Sequence, residues 1–323
     1  MDNTVERWGK RVMITTINLN PCIDKNIVVS EFRCGQLNRV LKTRTDVSGK
    51  AVNVALAVKN LGGTVECLGF NYRSNGELLE NTLKAHNIEY EFVWVKGSLR
   101  TNTKILDIKA NVFTELNEYG GHVAKSDVSR IKQVINEHLI RSSLVVIGGS
   151  VPQGVSKSIY RDVLREASKH KIKTILDAEK ELLLEGIKEK PYLIKPNLFE
   201  LQTTFGRPCR SKEEIIAVAR EIINTGVEIV CVSLGQDGAI IINEKEAFYS
   251  QGLTLDIQGV QGAGDSMVAG ICMAMEAELP IEEMLCYGMA ASAASLVLDG
   301  TQMCSEEGFW KHKEKIRVEK MQL

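Results

Sequence analysis

Short apolar runs alternate with amphipathic stretches along most of the chain, and this alternation predicts repeated strand–helix units. "VMITTINLN", from Val12, is β-branched and apolar and predicts a buried strand. "GKAVNVALAVKNLGG", from Gly49, predicts a helix closed by glycines; "TVECLGF" then reads as a strand and "NGELLENTLKAHN" as a helix. Further on, "SLVVIGGS", "IKTILDA", "YLIKPN" and "EIVCVSLG" are short apolar strands, each followed by polar turn residues and a helix. Continuous apolar strands with helical crossovers indicate an α/β fold with a parallel sheet covered on both faces. Ligands of such sheets lie beyond the carboxyl ends of the strands. Those ends carry Asn20 to Asp24, Gly148 to Ser150, Asp177, Lys195 to Asn197, and Ser233 to Gly235.

Two regions break the alternation. "DKNIVVSEF" with "NRVLKTRTDV", and later "TNTKILDIKANVFTELNE", read as strands with no helix between them. Polar and apolar residues alternate along them, which predicts a small antiparallel sheet, at about 25–46 and 100–117, with one exposed face. An exposed sheet face is a liability unless covered, so this flap is a candidate dimer surface. Residues 12–323 are expected to form one domain behind a charged tail at 1–11 that lacks the apolar core of a signal peptide.

Composition narrows the classes. The formal net charge is −1 with both signs interspersed, which argues against nucleic acid as a partner. No apolar run is long enough to span a bilayer; the best, "MLCYGMAASAASLVLD", is short and rich in small residues. The eight cysteines form no C-x-x-C pair and no Cys/His metal spacing, and several sit in apolar runs. That usage fits a reducing compartment and predicts a cytoplasmic protein. No Ser/His/Asp arrangement stands out, and the five histidines read as surface residues.

The chemistry concentrates in four stretches. In "GVQGAGDSMVAG" the glycines at 262 and 264 precede a helix whose first turn holds Asp265. A helix N-terminus offers free N–H groups and the positive end of the dipole, so Gly262, Ala263 and Gly264 could cradle a phosphate. Asp265 beside them could accept a proton from an attacking hydroxyl, which suits phosphoryl transfer; ordinary capping explains the same residues equally well. "VSGKAVNVA" opens a helix with Gly49 and Lys50 and sets Lys50 and Asn53 on one helical face. "GSLRTNTKI" places Arg100 and Lys104 on one face of a strand, where a fork and a point charge suit a phosphate, or are simply solvated. In "YLIKPNLFE", Asn197 and Glu200 either hold metal-bound waters near nucleotide phosphates or form a capping box, and both readings are compatible.

Taken in order, "TINLNPCID", "GQLNRV", "SGKAVNV", "LRTNTKI", "GGSVPQG", "YLIKPNLFEL", "VSLGQDGA" and "GAGDSMVAG" span nearly the whole chain. Together they resemble the ribokinase-like phosphofructokinase-B family, most closely its branch of 1-phosphofructokinases and tagatose-6-phosphate kinases. The resemblance implies a ribokinase-like parallel sheet sandwiched by helices, with a small antiparallel β-sheet lid that often makes the dimer contact. It implies ATP and Mg²⁺, and phosphorylation of a sugar hydroxyl. Matched by position, Asp265 is the base and Gly262, Ala263 and Gly264 the anion hole. Asp24 would hold sugar hydroxyls beside Gly49 and Asn53, and Lys50, Arg100 and Lys104, with Arg39 of the lid, would surround the sugar's phosphate. Lys195, Asn197, Glu200, Ser233 and Gly235 fall on the nucleotide side, with Asn197 and Glu200 reaching the metal through water.

That basic set favours a phosphorylated ketohexose: fructose 1-phosphate first, tagatose 6-phosphate second. Three departures lie on the substrate side. Ser48 and Ala51 stand where the family has glycines, "GFNYRSNG" replaces "GF-x-GG-x-x-G" and puts Tyr72 and Arg73 in a sugar-site turn, and "AEKELL" follows "KTILD". They motivate the alternative of a non-catalytic ATP or sugar-phosphate sensor, against which the intact Asp265 and nucleotide stretches count.

Overall fold

A computed structural model describes residues 13–323; the tail expected at 1–11 lies outside the described residues. A ten-stranded sheet forms the body. Its parallel part holds β1 (Met13–Asn18), β4 (Thr64–Ser74), β5 (Glu89–Ser98), β8 (Ser142–Gly148), β9 (Lys173–Asp177), β10 (Leu193–Ile194) and β11 (Ile229–Ser233). An antiparallel edge of β12 (Ala239–Ile242), β13 (Ala247–Ser250) and β14 (Val318–Met321) completes it.

Both faces of this sheet are apolar, as the uninterrupted runs predict. Ile14, Val146, Cys231 and Ile241 point to one side, where α1 (Lys50–Asn60), α8 (Ala263–Glu276) and α9 (Ile281–Leu296) pack. Ile17, Val145, Ile147, Val232 and Ile240 point to the other, toward α3 (Lys125–Leu139), α4 (Ile159–Lys169), α5 (Lys180–Ile187) and α7 (Lys212–Ile223). Each fully buried branched side chain of this kind stabilises the fold by roughly 1.5–3 kcal/mol. Helix α8 is buried from Asp265 to Met275, and it approaches α9 so closely that a Cβ on Gly270 would stand 2.3 Å from the Tyr287 carbonyl oxygen. The remaining helices are α2 (Gly76–Ala85), α6 (Leu198–Phe205) and α10 (Glu306–Lys313).

The flap is a four-stranded sheet in the order β3 (Val40–Ser48), β2 (Cys22–Val29), β6 (Arg100–Asp107), β7 (Val112–Asn117). Its outer pairs are antiparallel, while β2 and β6 run parallel at its centre. The reason is topological: β2 follows β1 and β6 follows β5, so both leave the carboxyl edge of the main sheet in the same direction. The lid therefore stands over the strand ends where ligands of such sheets collect.

Two histidines depart from the expected surface placement. His312 is buried and its Nδ1 lies 2.7 Å from the Gly308 carbonyl. His138 is half-buried between Glu66 and Glu91 at the opposite end of the sheet. All eight cysteines are free, and Cys34 is the exposed one.

Candidate active site

Gly262 caps α8 at φ 76°, a left-handed conformation, and a Cβ there would meet the Met303 methyl at 2.2 Å. Ser266 N–H donates to the Gly262 carbonyl at 2.8 Å, so the N–H groups of Ala263, Gly264 and Asp265 point off the helix end. Gly264 sits against the Lys195 ammonium, 3.4 Å from where its Cβ would be. The sequence folds this way because the chain needs a tight left-handed turn directly into a helix whose other faces are already buried.

Asp265, 8% exposed, receives a 2.7 Å hydrogen bond at Oδ2 from Asn53 Nδ2. Burial, then the charge of Asp177, pushes its carboxyl up to about 6, against the pull of Lys50, the Asn53 hydrogen bond and Lys195. Asp177 ends β9 and is 1% exposed. Lys50 Nζ approaches its Oδ1 at 2.8 Å and Lys195 Nζ its Oδ2 at 3.4 Å. Burial alone would raise Asp177, but Lys195 and Lys50 outweigh it and hold the carboxyl below the usual aspartate range. Burial likewise opposes charge on Lys50, yet Asp177 and Glu200 keep its ammonium above the ordinary lysine range.

Glu200 closes a capping box at the start of α6. Its N–H donates to Asn197 Oδ1 at 2.7 Å, and its Oε2 accepts from Asn197 N–H at 2.9 Å. The other oxygen, Oε1, lies 3.3 Å from Lys50 Nζ. Ser233 ends β11, donating its N–H to the Pro196 carbonyl at 3.1 Å, and Gly235 opens a 3₁₀ turn at φ 64°.

Between this strand-end cluster and the lid lies a cleft of about 200 Å³, lined among others by Asp24, Asn53, Arg100, Lys104, Asp265 and Thr301. Asp24 is buried; Lys104 Nζ reaches its Oδ2 at 2.9 Å, Thr301 Oγ1 donates to the same oxygen at 3.3 Å, and Asn102 donates to Oδ1 at 3.2 Å. Arg100 donates to the carbonyls of Asn20 and Glu118 and to Asn102 Oδ1. Gly49, the cap of α1 at φ 138°, passes so close to Asn18 that a Cβ would sit 2.6 Å from its amide nitrogen.

The predicted residues thus assemble, with three exceptions. Lys50 borders the cleft but turns its ammonium to Asp177 and Glu200, away from Arg100 and Lys104. Arg39 is exposed on the lid loop before β3 and is not brought to the cleft. Tyr72 and Arg73 do not form a sugar-site turn: β4 runs on through Ser74, burying Tyr72 completely in the core and leaving Arg73 in solvent. In the sequence, Asp177 stands out only as a strand end with no role attached, and Thr301 and Asn102 do not stand out at all. An acidic residue closing an apolar strand was the available signal for Asp177. Thr301 had none, since its partner Asp24 is 277 positions away.

Among the described residues no cluster of three or more His, Cys, Asp or Glu side chains is arranged to hold a metal directly. The donor set does fit an ion held largely by water and phosphate oxygens. Asp177 Oδ2 is a buried oxygen without a hydrogen bond, and Glu200 keeps Oε1 outside its capping box.

The pattern of the pfkB family carbohydrate kinases matches residues 17–308. The chain is a pfkB family carbohydrate kinase. A 1-phosphofructokinase of Borreliella burgdorferi is 31% identical to this kinase over 308 residues, covering 95% of the chain and 98% of that relative. A 1-phosphofructokinase of Haemophilus influenzae is 33% identical over 281 residues, covering 87% and 90%. Among solved structures, a possible 1-phosphofructokinase of Thermotoga maritima superposes with a TM-score of 0.88 at 25% identity, covering 96% of the kinase and all (100%) of that chain. Phosphofructokinase-2 of Escherichia coli, in complex with potassium, gives 0.87 at 26% identity, covering 94% and 99%. The kinase shares their α/β fold, large sheet and small separate sheet alike. No helix among the described residues is long and apolar enough to cross a membrane.

Proposed function

We propose that this kinase transfers the γ-phosphoryl group of ATP to a hydroxyl of fructose 1-phosphate, giving fructose 1,6-bisphosphate and ADP. The observation that carries the reading is the Asp265 carboxylate, set beside three free N–H groups at the start of α8 and opening onto a cleft flanked by Arg100 and Lys104. The names of the relatives favour fructose 1-phosphate over tagatose 6-phosphate.

Asp24 holds sugar hydroxyls, and Arg100 and Lys104 lie on the side of the sugar's own phosphate. Asp265, at about 6, is ionised at neutral pH and takes the proton of the attacking hydroxyl as that oxygen bonds to the γ-phosphorus. The N–H groups of Ala263, Gly264 and Asp265 stabilise the charge on the phosphoryl oxygens as the bond to the ADP oxygen breaks. Lys195 supplies positive charge on the nucleotide side, and Ser233 and Gly235 border it. Mg²⁺ would be held through water by Glu200 and Asp177, beside Asn197, and when bound it neutralises phosphate charge. The lid carries exposed Val40, Leu41, Val112, Phe113 and Leu116, which supports a homodimer through this sheet. Light scattering at the working concentration tests it. Eight free cysteines support a reducing compartment, the cytoplasm.

The test is ADP release with Mg-ATP against fructose 1-phosphate, tagatose 6-phosphate, fructose 6-phosphate, fructose and adenosine. Preferential turnover of fructose 1-phosphate is expected. Preference for another sugar phosphate would overturn the substrate, and silence on all five with ATP still bound would favour a non-catalytic sensor. Asp265→Asn is expected to lower kcat by about 10²–10⁴-fold with ATP binding retained. In the wild type, kcat should fall about tenfold per pH unit below about 6, because the base is then protonated.

A further inference from the structure

We infer that Ser48 is a positioning residue for Asp265, acting through the side-chain amide of Asn53. The inference rests on the reading of Asp265 as the base. Asn53 Nδ2 lies 2.7 Å from Asp265 Oδ2 and 3.1 Å from Ser48 Oγ. An amide nitrogen carries two hydrogens, so one serves each partner, and a carboxylate that only accepts fixes which end of the amide faces it. Asn53, Ser48 and Asp265 are all buried, with relative exposures of 4%, 4% and 8%.

The terminal torsion of an asparagine is broad, so a single hydrogen bond leaves its amide free to swing. The second bond, to Ser48, removes that freedom. It holds Nδ2 against Asp265 Oδ2 and leaves the buried Asn53 Oδ1 without a protein donor. Asp265 then presents its other oxygen to the cleft in one orientation. Positioning of this kind matters because small misplacements of a reacting group are costly in rate.

The hydroxyl comes from the last residue of β3, a lid strand, one position before the Gly49 cap of α1. Ser48 therefore links the lid to the base in the core. Cys22, the register partner of Ser48 across β2–β3, has its thiol pushed up to about 12 by burial and by Asp24. It stays a neutral neighbour of the hydroxyl. The other charged groups acting on Asp265 are Lys50 of α1, Asp177 of β9 and Lys195 beyond β10.

The test measures kcat, KM and the pH profile of Ser48→Ala, Ser48→Gly and Ser48→Thr, each also in the Asp265→Asn background. Loss of one hydrogen bond predicts a kcat about 3–10-fold lower in Ser48→Ala and Ser48→Gly, with both KM values within about twofold. The acid limb should move to higher pH, because a looser donor favours the carboxylate less. Ser48→Thr, which keeps the hydroxyl, should restore kcat to within about twofold. In the Asp265→Asn background Ser48→Ala should add nothing. Wild-type kcat and an unshifted limb in Ser48→Ala, no rescue by threonine, or an equal further loss in the Asp265→Asn background would each overturn the inference. Asp265→Asn with wild-type turnover would instead overturn the reading of the base, so the two failures are distinguishable. Ser48→Gly keeps the test open should alanine disturb the strand end.

Discussion

The strand-end cluster and the lid face each other across one cleft, yet they hold their charges differently. At the strand ends, Lys50, Asp177, Lys195, Glu200 and Asp265 come from five rigid elements or their junctions; Lys50 and Asp177 each face two opposite charges, and Lys50, Asp177 and Lys195 all act on Asp265. In the lid, the ion pairs of Lys104, Arg44 and Lys42 are one-to-one, with Asp24, Asp46 and Asp299, and Arg100 binds two carbonyls and Asn102 Oδ1. The first arrangement resists displacement, as the in-line geometry of phosphoryl transfer requires. The second can exchange partners when a substrate arrives. Substitutions should therefore separate by region: the strand-end cluster governs stability and kcat, and the lid governs KM.

The largest effect is expected at Asp177→Asn, because it leaves the ammonium groups of Lys50 and Lys195 without their shared counter-charge. Breaking a buried ion pair costs about 3–5 kcal/mol, to be read from urea denaturation, with kcat falling as well. Asp265→Asn should do the opposite to stability. The folded Asp265 carboxyl is raised to about 6 from an ordinary value near 4, so its ionised form penalises the fold above pH 6. The penalty disappears as pH falls through 6 toward 4, and neutralising the residue should stabilise the fold by roughly 1–3 kcal/mol at pH 7. Asp177 has the reverse linkage: its lowered carboxyl contributes stability above the unfolded value that is lost as pH falls through the folded one. If both asparagine variants shifted stability in the same direction, the picture of one coupled cluster would fail.

The lid is sharpened by Arg100→Gln, the next effect in size. A hydrogen bond to a charged group contributes about 1.5–3 kcal/mol, so the KM for the sugar phosphate should rise roughly 10–100-fold. The ATP dissociation constant should hold within about twofold, and any turnover of free fructose should be unaffected. Equal losses on charged and neutral sugars would mean that Arg100 serves only to pin the Asn20 and Glu118 carbonyls.

Much of this division was legible in the sequence. Strand ends were legible because buried parallel strands are apolar throughout, so Asp177, Lys195 and Ser233 stand out where the apolar run stops. The lid was legible because its strands alternate. Its parallel centre was not, since strand direction depends on where β2 and β6 leave the main sheet. The antiparallel edge formed by "AIII", "AFYS" and "VEKM" escaped because segments of four residues carry too little pattern to separate strand from loop. The orientation of Lys50 escaped for another reason: its helix face was readable, but Asp177 is 127 positions away and competes with any sugar phosphate for the ammonium. Tyr72 was misplaced because a motif aligned with a turn gives no warning that bulky residues will extend the strand and bury the ring.

The smallest expected effect lies where the two regions meet. Thr301 follows α9, and it touches the lid twice: its N–H donates to Asp46 Oδ2 and its hydroxyl to Asp24 Oδ2, each at 3.3 Å. Thr301→Val removes the hydroxyl and leaves the backbone contact to Asp46 intact. Asp24 keeps Lys104 and Asn102, so its charge remains compensated and only its orientation loosens. The bond ends on a carboxylate but is long at 3.3 Å and two other donors remain, so its loss should cost no more than the low end for a bond to a charged group, about 1.5 kcal/mol, or a sugar KM up to roughly 10-fold higher. The kcat should stay within about twofold, because Asp265 and its N–H neighbours are untouched. A fall in kcat with unchanged KM would place this loop with the strand-end cluster, and the boundary between the two regions would then run through the lid.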